Sequence, residues 1–416
     1  MSRKPRRIPF LRLAWRNTHR NTRRTLLTVS AVTVAVAALT FGLSYITGIL
    51  GNVVDTYTRT ESGHVRIRRS GYTERERLLP VHINVQDLAT LLTTIRANPN
   101  VEAALPRIRA AALVDGAGSN RPGLLLGIDL EGEDGYFNPS AMVDEGRLPQ
   151  AGRAEALIGR GFAEQIGVGV TDSITVLGQT AYRSLSGLTL EVVGLAVSGL
   201  AHLDNSLLVV PLDQAQELTD LPNAATEILV FANDVAIAKQ LAQALDRELN
   251  PPSQSNLEIL SWLDQSSLIR MLNTVRPLLG VVFGLLLVMA GLIIVNTMLM
   301  TVMERTQEFG MQAALGMRRS DIFALILSEG MVIGLLGGLA GAALGTAVAV
   351  WLESVGIDVA AAMRSMELPF QGTIYPDWRL VYTVSSAVIG VFTAGVAAIY
   401  PAWRAVRMTP AEALRV

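Results

Sequence analysis

Few side chains in this sequence have the type and spacing that chemistry requires. The chain contains no cysteine, which excludes disulfides, thiolate metal sites and a cysteine nucleophile. Its four histidines, His19, His64, His82 and His202, are scattered and form no HExxH pair of the kind that binds zinc. No GxSxG nucleophile elbow stands out. The sequence therefore predicts no catalytic residue and no metal site.

A nucleotide-binding loop is missing from the sequence as well. The only lysines are Lys4 and Lys239, and neither follows a glycine-rich loop that could cradle phosphates. Four long apolar segments, described next, contain none of the ionisable residues that ion-driven transporters generally need at membrane depth. We therefore expect no cofactor in this chain and an energy source that lies outside it.

The composition indicates a membrane protein. Half of the residues are hydrophobic and 17% are charged, against about a quarter charged in soluble domains. Crossing a bilayer takes about 20 apolar residues, and four segments reach that length without a charge. Segments so apolar predict helices rather than barrel strands, because only helices satisfy such a backbone within lipid. The four predicted spans are residues 25–54, 277–303, 330–352 and 380–403.

The basic residues predict the orientation of these spans. Residues 1–24 hold nine lysines and arginines and no acid, so the positive-inside rule places them in the cytoplasm, where part of them would form a basic helix in the headgroup layer. Alternation then puts residues 55–276 and the short loop 353–379 outside. The loop 304–329 and the tail 404–416 fall inside. We expect a multi-pass protein of the bacterial inner membrane with both termini cytoplasmic.

Two rows of glycines run along the third predicted span. In a membrane, small residues four positions apart let helix backbones approach closely. We therefore expect this span to pack against its neighbours. The rows are Gly330, Gly334 and Gly338, and Gly337, Gly341 and Gly345.

Residues 55–276 predict a mixed α/β domain inserted between the first two spans. Turn signals separate alternating strand-like and helix-like runs, and a break near residues 149–152 predicts two subdomains. Residues 262–276 predict a helix that runs into the second span. The predicted strands are 64–68, 123–129, 156–158, 173–177, 189–197, 206–210 and 226–231, and the predicted helices are 85–97, 161–166, 212–218 and 235–249. The fold class is thus a four-helix membrane protein with a large extracytoplasmic α/β domain.

Several motifs carry a resemblance to a known family. Residues 303–317 read MERTQEFGMQAALGM and residues 400–415 read YPAWRAVRMTPAEALR, while LAWRN at 13–17 precedes RRTLL at 23–27. With the order of the spans, these segments resemble the FtsX/MacB-type permeases of ABC transporters over essentially the whole chain. Within that mechanotransmitting class, ALIGRGFAEQIGV, DSITV and GID in the outer domain are most similar to the lipoprotein-releasing LolC/LolE permeases.

The resemblance implies two sets of site residues. Residues 304–317 would form a coupling helix that docks in a groove of an ABC ATPase, with Phe309, Met311 and Leu315 as its apolar face. The positions matching the family pattern there are Glu304, Arg305, Glu308, Gly310, Ala314, Leu315 and Gly316. A substrate would be held between the first two spans of two permease copies. By position, its lining would include Phe41, Tyr45, Ile49, Val282, Leu286 and Met289.

Three functions remain open for such a permease. The first is extraction of lipoproteins, or of similar lipid-anchored or amphipathic substrates, from the outer leaflet of the inner membrane. MacB-like efflux of peptides or amphiphiles and FtsX-like regulation of a cell-wall hydrolase are the alternatives. Residues 178–188 are short and lack proline where a LolC-type permease has a proline-containing hook, so recruitment of a periplasmic carrier there is in doubt.

The resemblance also implies partners. We expect an ABC ATPase dimer that binds ATP and Mg²⁺, together with a second permease copy or a paralogue. A periplasmic carrier or adaptor, a lipoprotein or amphipathic substrate and membrane lipids complete the expected partners. The net charge of −1 predicts no nucleic-acid partner.

Overall fold

A computed structural model of the chain describes residues 22–251, 256–265, 267–358 and 373–407. The described residues divide into two compact units. The helical unit draws on residues within 1–51, 272–357 and 374–416, and the α/β unit on residues within 52–271 and 358–373. The predicted headgroup helix of residues 1–24 lies outside the described residues except for residues 22–24, which begin the first long helix.

The elements follow in chain order. The helices are α1 (Thr22–Tyr57), α2 (Leu88–Arg96), α3 (Leu130–Glu133), α4 (Pro139–Met142), α5 (Arg160–Ile166), α6 (Ala201–Asp204), α7 (Leu212–Thr219), α8 (Ala238–Leu249), α9 (Trp262–Gln265), α10 (Ser267–Glu304), α11 (Thr306–Ala314), α12 (Arg319–Val355) and α13 (Leu380–Arg407). The strands are β1 (Val65–Arg69), β2 (Val101–Gly116), β3 (Ser119–Ile128), β4 (Val143–Gly146), β5 (Glu155–Gly159), β6 (Ser173–Gln179), β7 (Leu185–Ala196), β8 (Leu207–Pro211), β9 (Glu227–Ala232), β10 (Leu257–Ser261), β11 (Ile357–Asp358) and β12 (Thr373–Ile374).

Helices α1, α10, α12 and α13 are long and apolar enough to cross a membrane, as the sequence predicts. Two of them extend well beyond the predicted spans. α12 begins at Arg319, so residues 319–329 of the expected 304–329 loop form the first part of the third long helix. α10 begins at Ser267 and continues to Glu304, which agrees with a helix leading into the second span. A separate short helix, α9, precedes it.

The two glycine rows of α12 face two different helices. A Cβ added at Gly334 would lie 2.5 Å from the Ala394 side chain of α13. A Cβ added at Gly341 would lie 2.5 Å from the Thr33 carbonyl oxygen of α1. Real Cβ atoms do not approach other atoms so closely, so each row lets one neighbour pack directly against the α12 backbone. The predicted packing role of these glycines is confirmed.

The α/β unit is built on one ten-stranded sheet. Its order is β10-β1-β9-β2-β3-β8-β5-β7-β4, and β6 pairs with both β2 and β7. Seven of these strands overlap the predicted ones, while β2, β4 and β10 were not predicted. β2 is rich in alanine, which favours helix, but it pairs with β9, β3 and β6, and this tertiary pairing decides its structure. The division into two subdomains stays a prediction.

Two local predictions differ from the structure. Residues 178–188 were expected to form a loop, but β6 and β7 pair in register up to Gln179 and Leu185, so the turn between them spans only residues 180–184. The predicted helix 85–97 is shortened to Leu88–Arg96, because Val85 forms an isolated antiparallel bridge with Ala225.

Candidate functional site

A short helix between two long ones forms the centre of the candidate site. α10 ends at Glu304, Arg305 leaves the helical conformation with φ −102° and ψ 14°, and α11 starts at Thr306. Gly316, with φ +94°, follows the end of α11 and precedes α12. A residue with a side chain is strained at this φ, so glycine permits the sharp turn here. The chain thus presents a nine-residue helix between two candidate spans.

Arg305 fixes the start of α11 to α12. Its Nε donates to Glu308 Oε2 at 3.0 Å, and its Nη1 donates to Glu329 Oε1 at 3.0 Å. Burial alone would lower the pKa of Arg305, but Glu329 and Glu308 raise it. The guanidinium also lies over the Phe309 ring, 5.0 Å from its centroid. Because Glu329 is itself buried, removing either side chain breaks a charge pair inside the protein, which is costly.

A second ion pair fixes the end of α10 to the start of α1. Arg24 donates two hydrogen bonds to Glu304, each 2.9 Å long, from separate nitrogens to separate carboxylate oxygens. This two-point contact sets the orientation of both side chains. The N-terminal end of the candidate coupling segment is thus tied by two arginine–glutamate pairs, to α1 through Glu304 and to α12 through Arg305.

The predicted coupling residues divide into an inward and an outward group. Phe309 and Gly310 are buried, and Phe309 belongs to the apolar core of the helical unit. Ala314, Leu315 and Gly316 are exposed, as is Met311. The prediction that Phe309 shares one face with Met311 and Leu315 is wrong. Residues 311 and 315 lie one turn apart, whereas residue 309 lies about 200° around the helix from 311.

The sequence analysis missed Arg24 and Glu329 as site residues. Both line a cavity of about 230 Å³ next to α11, with the threonines Thr28, Thr297 and Thr301 among its other lining residues. One signal was available for Glu329, because it is the only charged residue between Asp321 and Glu353. A lone acid in so apolar a stretch requires a partner, although the sequence does not show which arginine supplies it.

The six predicted substrate-cavity residues all lie on α1 and α10. Phe41 and Tyr45 stack with ring centroids 5.7 Å apart. Val282, Leu286 and Met289 are exposed on α10, with 37–61% of their surfaces accessible. Ile49 is partly buried on α1. The two helices touch, since a Cβ added at Gly42 would meet the Phe283 ring of α10. A substrate-binding role for the six residues stays a prediction.

Within the described ranges, no group of three or more His, Asp or Glu side chains could hold a metal ion. Arg305, Glu308 and Glu329 are engaged with one another in ion pairs, and the exposed positions of α11 are Gln307, the apolar Met311 and the small Ala314. This arrangement is suited to binding another protein and to passing on its movement.

Two family models match the chain, and together they define its class. A MacB-like periplasmic core domain matches residues 25–248, and the C-terminal part of an FtsX-like permease matches residues 280–410. The chain belongs to this family of MacB/FtsX/LolC-type ABC transporter permeases. The family model for the permease covers α11 together with most of the last three long helices.

Two named relatives are similar to the chain over nearly its full length. The chain is similar to the lipoprotein-releasing system transmembrane protein LolC of Xylella fastidiosa strain Temecula1, with 23% identity over 410 residues that cover 94% of this chain and 93% of that protein. It is 27% identical to the pyoverdine export ATP-binding/permease protein PvdT of Pseudomonas putida, over 98% of this chain and 59% of that protein.

The chain is also similar to two solved structures. The extracellular domain of YknZ from Gram-positive bacteria matches 47% of this chain and 99% of its own length, at 13% identity and a TM-score of 0.35. The periplasmic region of MacB from Actinobacillus actinomycetemcomitans matches 54% of this chain and 95% of its own, at 12% identity and a TM-score of 0.35.

Proposed function

We propose that this permease works with a separate ABC ATPase to extract lipoproteins, or similar lipid-anchored substrates, from the outer leaflet of the bacterial inner membrane. The observation that supports this substrate class is the match with LolC, which extends over nearly the full length of both chains. In this proposal the permease binds no cofactor of its own, and ATP and Mg²⁺ are bound by the ATPase.

The energy enters at α11 in this proposal. Met311 and Leu315 are 55% and 83% exposed, although both are apolar. Neighbouring apolar side chains on a helix surface favour insertion into a groove of a partner. Behind them, the ion pairs of Arg305 hold α11 to α12. A nucleotide-driven movement of the ATPase would therefore move α11 and the long helices as one body.

The proposed arrangement places both termini and α11 in the cytoplasm and the α/β unit in the periplasm. A second permease copy or a paralogue would complete the substrate space, and a periplasmic carrier or adaptor would receive the substrate. A reporter enzyme fused after residue 250 tests the orientation. We expect activity only from a reporter that works outside the cytoplasm, and a reporter fused after Gly316 should give the opposite result.

Depletion of the protein tests the proposed substrate class. Inner and outer membranes are separated after depletion, and the lipoproteins in each fraction are quantified. We expect outer-membrane lipoproteins to accumulate in the inner membrane and to return to normal when the protein is re-expressed. As a control, a Met311→Asp/Leu315→Asp variant is expressed in place of the protein. We expect it to be inserted in the membrane but not to couple to the ATPase, and so not to restore the lipoprotein distribution. An unchanged lipoprotein distribution would contradict the proposal.

Export of a small amphiphile is the second candidate function. It is favoured by the match with PvdT, a pyoverdine export protein, over 98% of this chain. The same depletion experiment distinguishes lipoprotein extraction from export. Depletion of an exporter would leave the lipoprotein distribution unchanged and would lower the amount of an amphiphile outside the cell. A change in cell-wall hydrolysis alone would indicate an FtsX-like mechanical regulator.

A further inference from the structure

The path from α1 into the sheet of the α/β unit is short. After α1 the chain makes one π-helical turn, Thr58–Ser62, and only Gly63 and His64 separate this turn from β1. Gly63 has φ +61°, and a Cβ added there would lie 3.1 Å from the Val230 backbone nitrogen. Its conformation and its surroundings both require glycine. All of these residues belong to the α/β unit.

A short glycine-containing link is soft unless other contacts support it. The last carbonyl groups of a helix lack partners within the helix and need donors from elsewhere. Arg107 of β2 supplies them here, since its Nη1 donates to the Thr60 carbonyl at 2.6 Å and its Nη2 donates to the Arg59 carbonyl at 3.0 Å. A cation at this end of a helix also interacts favourably with the helix dipole.

Arg107 is held in place by a buried carboxylate. Its Nε and Nη2 donate to the two oxygens of Glu133 at 2.5 and 2.7 Å, and neither side chain is exposed to solvent. Two residues further along β2, Arg109 donates to Glu61 at 2.7 Å. Two arginines of one strand therefore bind consecutive residues of the π-helical turn. Arg107 binds two backbone carbonyls of the turn, and Arg109 binds the side chain of Glu61.

These contacts bypass the covalent link. The covalent link joins the end of α1 to β1, whereas Arg107 joins the π-helical turn after α1 to β2. In the sheet, β9 lies between β1 and β2. Attachment to two separate strands resists both tilting and rotation of the helix end. His64 is already fixed in the sheet by backbone hydrogen bonds with Val230 and Trp262. Without Arg107, the turn would lose two hydrogen bonds to β2, and a movement of α1 could be absorbed at Gly63 instead of reaching the sheet.

We propose that Arg107 and Glu133 form a clamp that positions the end of α1 on the sheet and passes movements of α1 to the α/β unit. This inference rests on the proposed function, in which movements driven from α11 must reach the outer domain. Arg107 and Glu133 are positioning residues in this scheme, and no contact with substrate is required of them.

The absence of cysteine from the chain makes a direct test possible. Spin labels are attached to Gly51→Cys on α1 and Ala111→Cys on β2 in the full-length protein in nanodiscs. Both positions are exposed, and a Cβ added at Gly51 would have nothing within 4 Å. The distribution of distances between the labels is then measured by pulsed electron paramagnetic resonance.

The test variant is Arg107→Met/Glu133→Met, which removes both buried charges together and so avoids leaving one of them unpaired. The matched control is Arg147→Met/Glu155→Met, since Arg147 also makes two hydrogen bonds of 2.7 Å to one carboxylate in the same unit. We expect the distance distribution to widen at least twofold in the test variant and to stay unchanged in the control. Equal widths in the two variants would overturn the clamp.

A conservative variant covers the case in which the double variant does not fold. Arg107→Lys keeps the charge beside Glu133 but cannot donate to Glu133 and both carbonyls at once, because it lacks the planar fork of arginine. We expect a distance distribution wider than that of the unmodified protein, with an unchanged thermal midpoint of unfolding. A lower midpoint with an unchanged width would show that Arg107 only stabilises the fold and would overturn the proposal.

The final measurement separates this inference from the proposed function. With the ATPase bound, addition of ATP and vanadate should shift the label distance in the unmodified protein. In the Arg107→Met/Glu133→Met variant this shift should fall at least threefold while stimulated ATP hydrolysis persists. A full shift in that variant would overturn the clamp alone. No shift in the unmodified protein would overturn the mechanical part of the proposed function and the clamp's role in it.

Discussion

The guanidinium of Arg305 donates a 3.0 Å hydrogen bond to the buried carboxylate of Glu329, 24 residues further along the chain. This contact joins the turn before α11 to α12 and makes the position of the short helix depend on that of a long one. The motif around Arg305 thus contains residues that contact the rest of the helical unit as well as residues that are exposed.

We expect Arg305→Gln and Glu329→Gln each to destabilise the helical unit by about 3 kcal/mol, because each breaks an ion pair between a largely buried arginine and a buried carboxylate. The loss of stability in the double variant should be smaller than the sum of the two single losses, by about 1 kcal/mol or more. Thermal unfolding of the purified protein in detergent measures all three, and additive losses would show that the two side chains do not depend on each other.

The exposed face of α11 should control the partner ATPase. We expect Met311→Asp/Leu315→Asp to reduce stimulation of ATP hydrolysis at least tenfold, because both residues are exposed and a charge there is buried unpaired on docking. Insertion and thermal stability should be unchanged. Tyr182→Asp, at a 78% exposed position of the α/β unit, is the control and should stimulate normally. Full stimulation by the double variant would exclude this face as the docking site.

The glycine rows of α12 should tolerate no side chain. Gly341→Leu places a Cβ 2.5 Å from the Thr33 carbonyl oxygen and 2.8 Å from the Val36 Cβ, and neither atom can rotate away. We expect a loss of about 1–3 kcal/mol in the stability of the helical unit, typical of an overpacked core. Gly280→Leu on α10 has open space and should have little effect. Equal stability of the two variants in detergent unfolding would contradict the packing.

The α/β unit should lose stability in acid through Glu227. Burial would raise the pKa of this carboxyl, but Arg68, Arg66 and Arg109 lower it to about 2. A folded-state pKa below that of the unfolded chain stabilises the fold above the unfolded value, and this stability is lost as the pH falls towards the folded one. We expect the contribution to be complete near neutrality and to disappear between about pH 4.5 and pH 2.

Glu227→Gln isolates this contribution from that of the other acids. At neutral pH the variant should be less stable by about 3 kcal/mol, because Arg68 is left buried with part of its ion pair removed. The difference from the unmodified protein should shrink as the pH falls below 4.5, the ordinary value for this carboxyl. Chemical unfolding of the full chain at several pH values, followed by tryptophan fluorescence, measures it. A difference independent of pH would contradict the assignment.

Much of the helical unit could be predicted from the sequence. A span must supply about 20 apolar residues in one stretch, so each of the four candidate spans is a local property of the chain. The rows through Gly334 and Gly341 likewise predict close packing, because their spacing places each row on one face of one helix. The short helix α11 was implied by the resemblance of residues 303–317 to the FtsX/MacB-type permeases. What the sequence left open was which neighbour each glycine row contacts.

Tertiary structure decided the contacts between distant residues. β2 reads as helix-forming by composition, and it is a strand because three other strands pair with it. Phe309 turns inward because the apolar core of the helical unit lies on that side of α11. Arg24 and Glu304 are 280 residues apart in the chain. Composition and periodicity describe single elements, whereas ion pairs and packed faces depend on which elements the complete fold brings together.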